Sequence, residues 1–207
     1  MSAPDNANPK FALDDDWKRM YPELSEAFEG ILQVEDFDKE LVQGYLRAMA
    51  QLPSKIHQNL VKAGLTEVHI ANRPVPELDS LQHLRGTAIT PNSKRIWDEV
   101  PGAYTNGVLV AGSGRTSSIN TLLHEYGHAV GDLLKHNQEG ELIVAFLRLR
   151  PKLIPFFANL EPMRGARELF AEGFAVYFGS GRDLVVNEFD EAFAHYLETV
   201  IEKERKK

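Results

Sequence analysis

Residues 121–132 read TLLHEYGHAVGD, and they are where chemistry is first legible. His124 and His128 stand one helical turn apart, with Glu125 directly after the first of them. Two imidazoles at this spacing can point at one divalent cation, at about 2.0–2.1 Å each if it is zinc. The glutamate between them sits off the ligand axis, where it can hold and deprotonate a metal-activated water. On a wheel of about 100° per residue with His124 at zero, His128 falls at about 40°, Asp132 at about 80° and Glu125 at about 100°. Leu122, Leu123, Tyr126, Ala129, Val130 and Leu133 take the other side, so the helix is apolar behind and ligand-bearing in front. Asp132, one turn after His128, is placed to accept a ring N–H and hold the tautomer. Gly127 and Ala129 leave room around the ligands.

A catalytic zinc takes three protein ligands and keeps one position open. The chain has no cysteine, which removes thiolate sites, disulfides and cysteine nucleophiles and leaves His, Asp or Glu as donors. Glu139, Glu141, Glu161, Glu168 and Glu172 follow the histidines. The stretch RELFAEGFAVYF, residues 167–178, ranks Glu168 and Glu172 first. These two lie one turn apart on one helical face, with Phe170, Phe174, Tyr177 and Phe178 behind them. Ala171 and Ala175 flank the carboxylates with small side chains, as close helix packing requires.

The elements that must position these groups follow from periodicity. Residues 1–12 read as a disordered tail and residues 13–207 as a single domain, divided into a helical part (13–64) and a catalytic part (65–207). Asp36 or Asp38 caps a helix carrying Leu41, Val42, Tyr45, Leu46 and Met49. Pro53 opens a second helix, through Ile56, Leu60 and Val61, that stops at Gly64. The period then changes, and strands are expected at 66–71 (TEVHIA), 86–90 (GTAIT) and 107–112 (GVLVAG). From Ser117 onward the pattern is helical again, broken near Pro151, Pro155 and Pro162 and at the GSG of 179–181. Helices, a few strands, then helices make an α+β fold. The glycine-rich stretch VLVAGSGRTSS lacks both the Gly-Lys-Ser/Thr of a phosphate loop and the third glycine of a dinucleotide loop, so it reads as a strand-to-helix turn.

Net charge is −7 and no basic stripe is present, which argues against nucleic acid as partner. The basic end, Lys203 to Lys207, reads as a solvated helix terminus. No apolar run is long enough to span a bilayer, and no Sec-type signal is visible. The compartment is left open, cytoplasmic or reached by a specialised export route.

HEYGH followed some 40 residues later by ELFAEGF resembles the anthrax lethal factor catalytic-domain family of zinc metallopeptidases, which includes proline–proline endopeptidases. WDEVPGAYTNGVLVAGSG, residues 97–114, resembles that family's strand and loop before the metal helix, so the likeness covers about residues 95–180. The resemblance implies a gluzincin-like zincin fold, a small mixed sheet with its edge strand on the metal helix. It implies one zinc ion held by His124, His128 and Glu168, Glu125 as general base, and Glu172 hydrogen-bonding a ligand histidine. The 107–112 strand resembles the edge strand on which such enzymes lay an extended substrate, here Val108, Leu109, Val110, Ala111 and Gly112. One position departs: relatives carry an oxyanion-stabilising tyrosine seven residues before the ligand glutamate, and here that position is Glu161. Arg164, Arg167 and Tyr104 are then the possible oxyanion donors. The expected activity is zinc-dependent endoproteolysis of a protein or peptide bound as an extended strand. The alternative is a zinc-binding interaction module or effector with little general peptidase activity.

Overall fold

In the computed structural model, which describes residues 16–35, 38–89, 93–114 and 118–207, two short helices, α1 (Asp16–Met20) and α2 (Pro22–Ala27), lead into β1 (Leu32–Val34). Helices α3 (Lys39–Ala50) and α4 (Ser54–Ala63) precede β2 (Glu67–Ile70). Three short 3-10 segments then lead to β3 (Gly102–Thr105), β4 (Val108–Ala111) and the motif helix α5 (Thr121–Leu133). The remainder is helical: α6 (Gly140–Leu149), α7 (Pro155–Ala158), α8 (Pro162–Ser180), α9 (Arg182–Glu188) and α10 (Glu191–Lys206).

Local chemistry sets several of these boundaries. Asp38 caps α3, its side chain accepting from the Leu41 N–H at 3.1 Å, whereas Asp36 lies outside the described residues. Pro53 is the residue before α4 rather than its first turn, and α4 ends on Gly64 at φ 113°, a left-handed conformation that glycine adopts without a Cβ clash.

The sheet is mixed, in the order β1-β2-β4-β3. β1, β2 and β4 run parallel; β3 is antiparallel to β4, with Tyr104 opposite Leu109. Val68, Ile70, Leu109 and Ala111 face a large core that also takes residues from Trp17 to Ile201, so the first and last helices share it. Ala103, Val108 and Val110 face a smaller cluster with Val75, Leu78 and Leu81. Burial on both faces explains why the β4 sequence is an unbroken apolar run.

Two expectations need correction. Residues 86–89 form no strand; Ala88 makes only an isolated bridge to Ile96, and Thr90 lies outside the described residues. The segment is largely exposed, and the Thr87 hydroxyl turns back onto the Leu84 carbonyl, so no buried face supports pairing. The strand over 107–112 is not at the edge: β4 lies between β2 and β3. The edge strand beside the motif helix is β3, joined to β4 by Asn106 and Gly107, both at positive φ. Asn-Gly is the favoured pair for a tight hairpin because its twist matches that of the strands.

Candidate metal centre

The motif helix is held from behind. Asn120 caps α5 by accepting from the Leu123 N–H at 3.0 Å, and Leu122, Leu123, Tyr126, Ala129 and Val130 are buried. The Tyr126 hydroxyl is hydrogen-bonded to His57 Nδ1 on α4. Burial pushes His57 down to about 4, so its ring is neutral at physiological pH and can accept the phenolic proton. In front, α5 meets α8 at Gly127, where a Cβ would stand 2.8 Å from the Ala171 Cα. That approach needs glycine, and it carries Glu168 and Glu172 of α8 onto the ligand-bearing face of α5.

The result is a convergent donor set. Glu168 Oε2 lies 3.5 Å from His124 Nε2 and 3.6 Å from His128 Nε2. The donor atoms of these three residues all lie within 4.8 Å of one another. Tetrahedral zinc with bonds of about 2.0–2.1 Å separates its ligands by about 3.3 Å, so the set fits a divalent ion with little adjustment. The other ring nitrogen of His124, Nδ1, donates to Glu172 Oε2 at 2.9 Å, which leaves Nε2 directed at Glu168. Without a metal, burial disfavours charge on His124, but hydrogen bonds to Glu168 and Glu172 outweigh it and raise the ring to about 10. Burial pushes Glu168 the other way, yet the hydrogen bonds from His124 and His128 hold its carboxyl well below the usual carboxylate range. Burial raises Glu125, against the opposing charges of His124 and His128, and the Tyr104 N–H hydrogen-bonds its carboxylate.

These groups form the floor of a cleft of ≈ 730 Å³. The cleft is also lined by Trp97, Val100 and β3, and by Phe157, Met163, Arg164 and Arg167. β3 lies directly on α5 because residue 102 is glycine: a Cβ there would meet Thr121 Cγ2 at 2.5 Å and Glu125 Cγ at 3.1 Å. The Gly112 N–H donates to the Pro101 carbonyl at 2.7 Å, and Ala103 pairs with Val110. By alternation, the backbone groups of Gly102 and Tyr104 then face away from β4.

Among the residues singled out from sequence, Asp132 and the 108–112 strand sit otherwise than expected, and Glu161 has a structural role of its own. Asp132 does not hold His128; among the described residues its hydrogen bond is from the Tyr104 hydroxyl, at 3.5 Å. That hydroxyl is thereby turned along α5, and burial with the nearby Asp132 charge pushes it up to about 12. Val108 to Gly112 offer no open edge, since they are covered by β2 and β3 on either side. Glu161, where the tyrosine of the resembling family would stand, is the N-cap of α8, accepting from the Met163 and Arg164 N–H groups at 2.8 and 3.3 Å. Arg164 and Arg167 do line the cleft. Sequence reasoning missed β3, Trp97, Phe157 and Met163; the Asn106-Gly107 pair was the signal that would have found β3.

Fold and site together define a class: a small α+β unit with a mixed sheet whose edge strand lies over a two-histidine, one-glutamate cluster. Residues 23–199 match the family model described as "Anthrax toxin lethal factor, N- and C-terminal domain", and the chain belongs to that family. A search of curated proteins returns no match. Among solved structures, the PRO-PRO endopeptidase PPEP-2 from Paenibacillus alvei is similar in fold, with a TM-score of 0.70 at 17% identity. The match covers 84% of this chain and 99% of that one. Among the described residues, no helix is long and apolar enough to cross a membrane.

Proposed function

We propose that the protein is a zinc-dependent endopeptidase that hydrolyses a protein or peptide bound as an extended strand. The observation that carries this is the convergence of His124 Nε2, His128 Nε2 and Glu168 Oε2 on the floor of an open cleft, with Glu125 beside them. These three side chains would hold the ion, and a bound zinc supplies Lewis acidity to a carbonyl and to water. Glu125 takes the proton of the attacking water and delivers it to the leaving amine. Glu172 orients the His124 ring through Nδ1. The substrate adds a strand to the outer edge of β3, meeting the outward backbone of Gly102 and the Tyr104 carbonyl, the Tyr104 N–H being engaged by Glu125. Arg164 or Arg167 meets the developing oxyanion; the Tyr104 hydroxyl is the weaker choice, being turned to Asp132. The shared core of first and last helices supports treating residues 13–207 as one catalytic unit.

A second reading, a zinc-binding interaction module or effector with little general activity, is favoured by one observation: residue 161 is a helix cap and offers no phenol to the cleft. One experiment separates the two. Zinc-loaded wild type and Glu125→Ala are incubated with a diverse peptide library, and products are sequenced by mass spectrometry. Cuts made by wild type and absent with Glu125→Ala establish the peptidase. Stoichiometric zinc without any such cut establishes the binding role.

A further inference from the structure

The cleft does not share the acidic balance of the molecule. The chain carries a net charge of −7, yet Arg95, Arg164 and Arg167 all line the cleft, against Glu125, Glu161 and Glu168. With a divalent cation held on the floor, the balance inside becomes positive. A concave site with low-dielectric walls concentrates that field on whatever enters.

The two arginines of α8 also differ from most others in the chain. Arg148 grips Asp190 with two bonds of 2.9 Å, and Arg182 and Arg205 reach Glu198 and Glu202 at 3.0 and 2.8 Å. Arg73 pairs with Glu35, and Arg150 donates to two backbone carbonyls. Among the described residues, no carboxylate lies within ion-pairing distance of Arg164 or Arg167. The nearest acid on their turn, Glu161, is engaged with two backbone N–H groups. Glu168, on the next turn, faces the histidines. Arg164 is half-buried and Arg167 exposed, one turn apart near the start of α8, so both side chains are within reach of a ligand in the cleft.

We propose that this cleft selects peptides bearing an aspartate or glutamate side chain beside the scissile bond, received at the pair Arg164 and Arg167 by the guanidinium that does not meet the oxyanion. The proposal rests on the peptidase reading above and names the substrate class of that site. A planar guanidinium takes a carboxylate through two parallel N–H donors, and this geometry rejects an amide of the same shape. An acidic substrate residue would therefore be preferred over its amide by roughly 10- to 100-fold, the range of a charge-assisted hydrogen bond.

The test uses two nonapeptide libraries, randomised except that each position in turn is fixed as Glu in one and Gln in the other. Cleavage by zinc-loaded wild type is compared between them, and binding of the same libraries to zinc-loaded Glu125→Ala is measured by competition. The expected result is a roughly 10- to 100-fold advantage of Glu at one or more positions, in cutting and in binding. Arg164→Glu/Arg167→Glu should lose that advantage and favour Lys over Gln at the same position. An oxyanion donor alone would behave differently, since its loss slows Glu and Gln peptides equally and creates no taste for Lys. Equal or absent binding of both libraries, or an unchanged Glu-to-Gln ratio in the double variant, overturns the inference. If wild type cuts nothing while Glu peptides still bind preferentially, the acidic preference stands and the peptidase reading falls.

Discussion

Two of the histidine–glutamate clusters in this molecule are built to opposite ends. At His124 one ring nitrogen, Nδ1, is fixed by a 2.9 Å hydrogen bond to Glu172. The other shares a space with His128 Nε2 and Glu168 Oε2 at the bottom of a cleft. At His136, just beyond the end of α5, both nitrogens are spent: Nδ1 with Glu139 and Nε2 with Glu204, each at 3.0 Å. His136 and Glu204 are wholly buried, and Asn59 donates to Glu204 while Tyr196 donates to Glu139. In the first cluster, donor atoms of three residues converge where a cation could take the place of a proton. The second is spent internally, and it ties the C-terminal end of α10 to α4 and to the turn after α5. Histidine beside glutamate is therefore not a site by itself; donors that converge from several residues at a cleft are what make one.

The contrast can be broken from either side. His128→Ala should have the largest effect, loss of near-stoichiometric zinc and of all activity, seen by elemental analysis and a cleavage assay. Glu125→Ala should lower turnover by about 10²–10⁴-fold while zinc stays bound, because a proton carrier is lost and no ligand is. Glu204→Ala should do the reverse. It strands a buried ring nitrogen and destabilises the fold by about 3 kcal/mol, seen in chemical denaturation, while zinc stoichiometry is unchanged. Glu172→Gln sharpens the comparison, and zinc affinity should fall by about 10–100-fold in chelator competition.

The smallest effect is a proton count. In the metal-free protein His124 is raised to about 10, so it is protonated at neutral pH, and an incoming metal must displace that proton. Zinc affinity should then rise with pH up to about 10, by about tenfold per unit for one proton. Calorimetry at pH 7 in buffers of different ionisation enthalpy should show at least one proton released per ion. Release of none would mean the ring is already neutral.

What could be read early was local. The spacing of His124, Glu125 and His128 needs only a helix, and helical spacing also set Glu168 and Glu172 on one face. Each of these relations spans a few residues, so geometry follows from rise and turn. Asp132 shows the limit of the same logic. Its register along α5 was right, but its hydrogen bond went to Tyr104, a residue 28 positions away in sequence. The edge strand shows it more strongly. β3 is four residues long, too short for alternation to register, and β4 reads as an edge or an inner strand equally well until its neighbours are known. Glu161 was noted as a departure from the resembling family, but its capping role depends on where α8 begins.

The sequence by itself determined which side chains could bind a cation, because donor type and helical spacing are properties of the chain alone. Which carboxylate would meet which imidazole was decided by tertiary structure, through the contact of Gly127 with Ala171 that sets two helices distant in sequence against each other. The identity of the open strand was decided there too, since a strand is an edge only by virtue of what fails to pair with it.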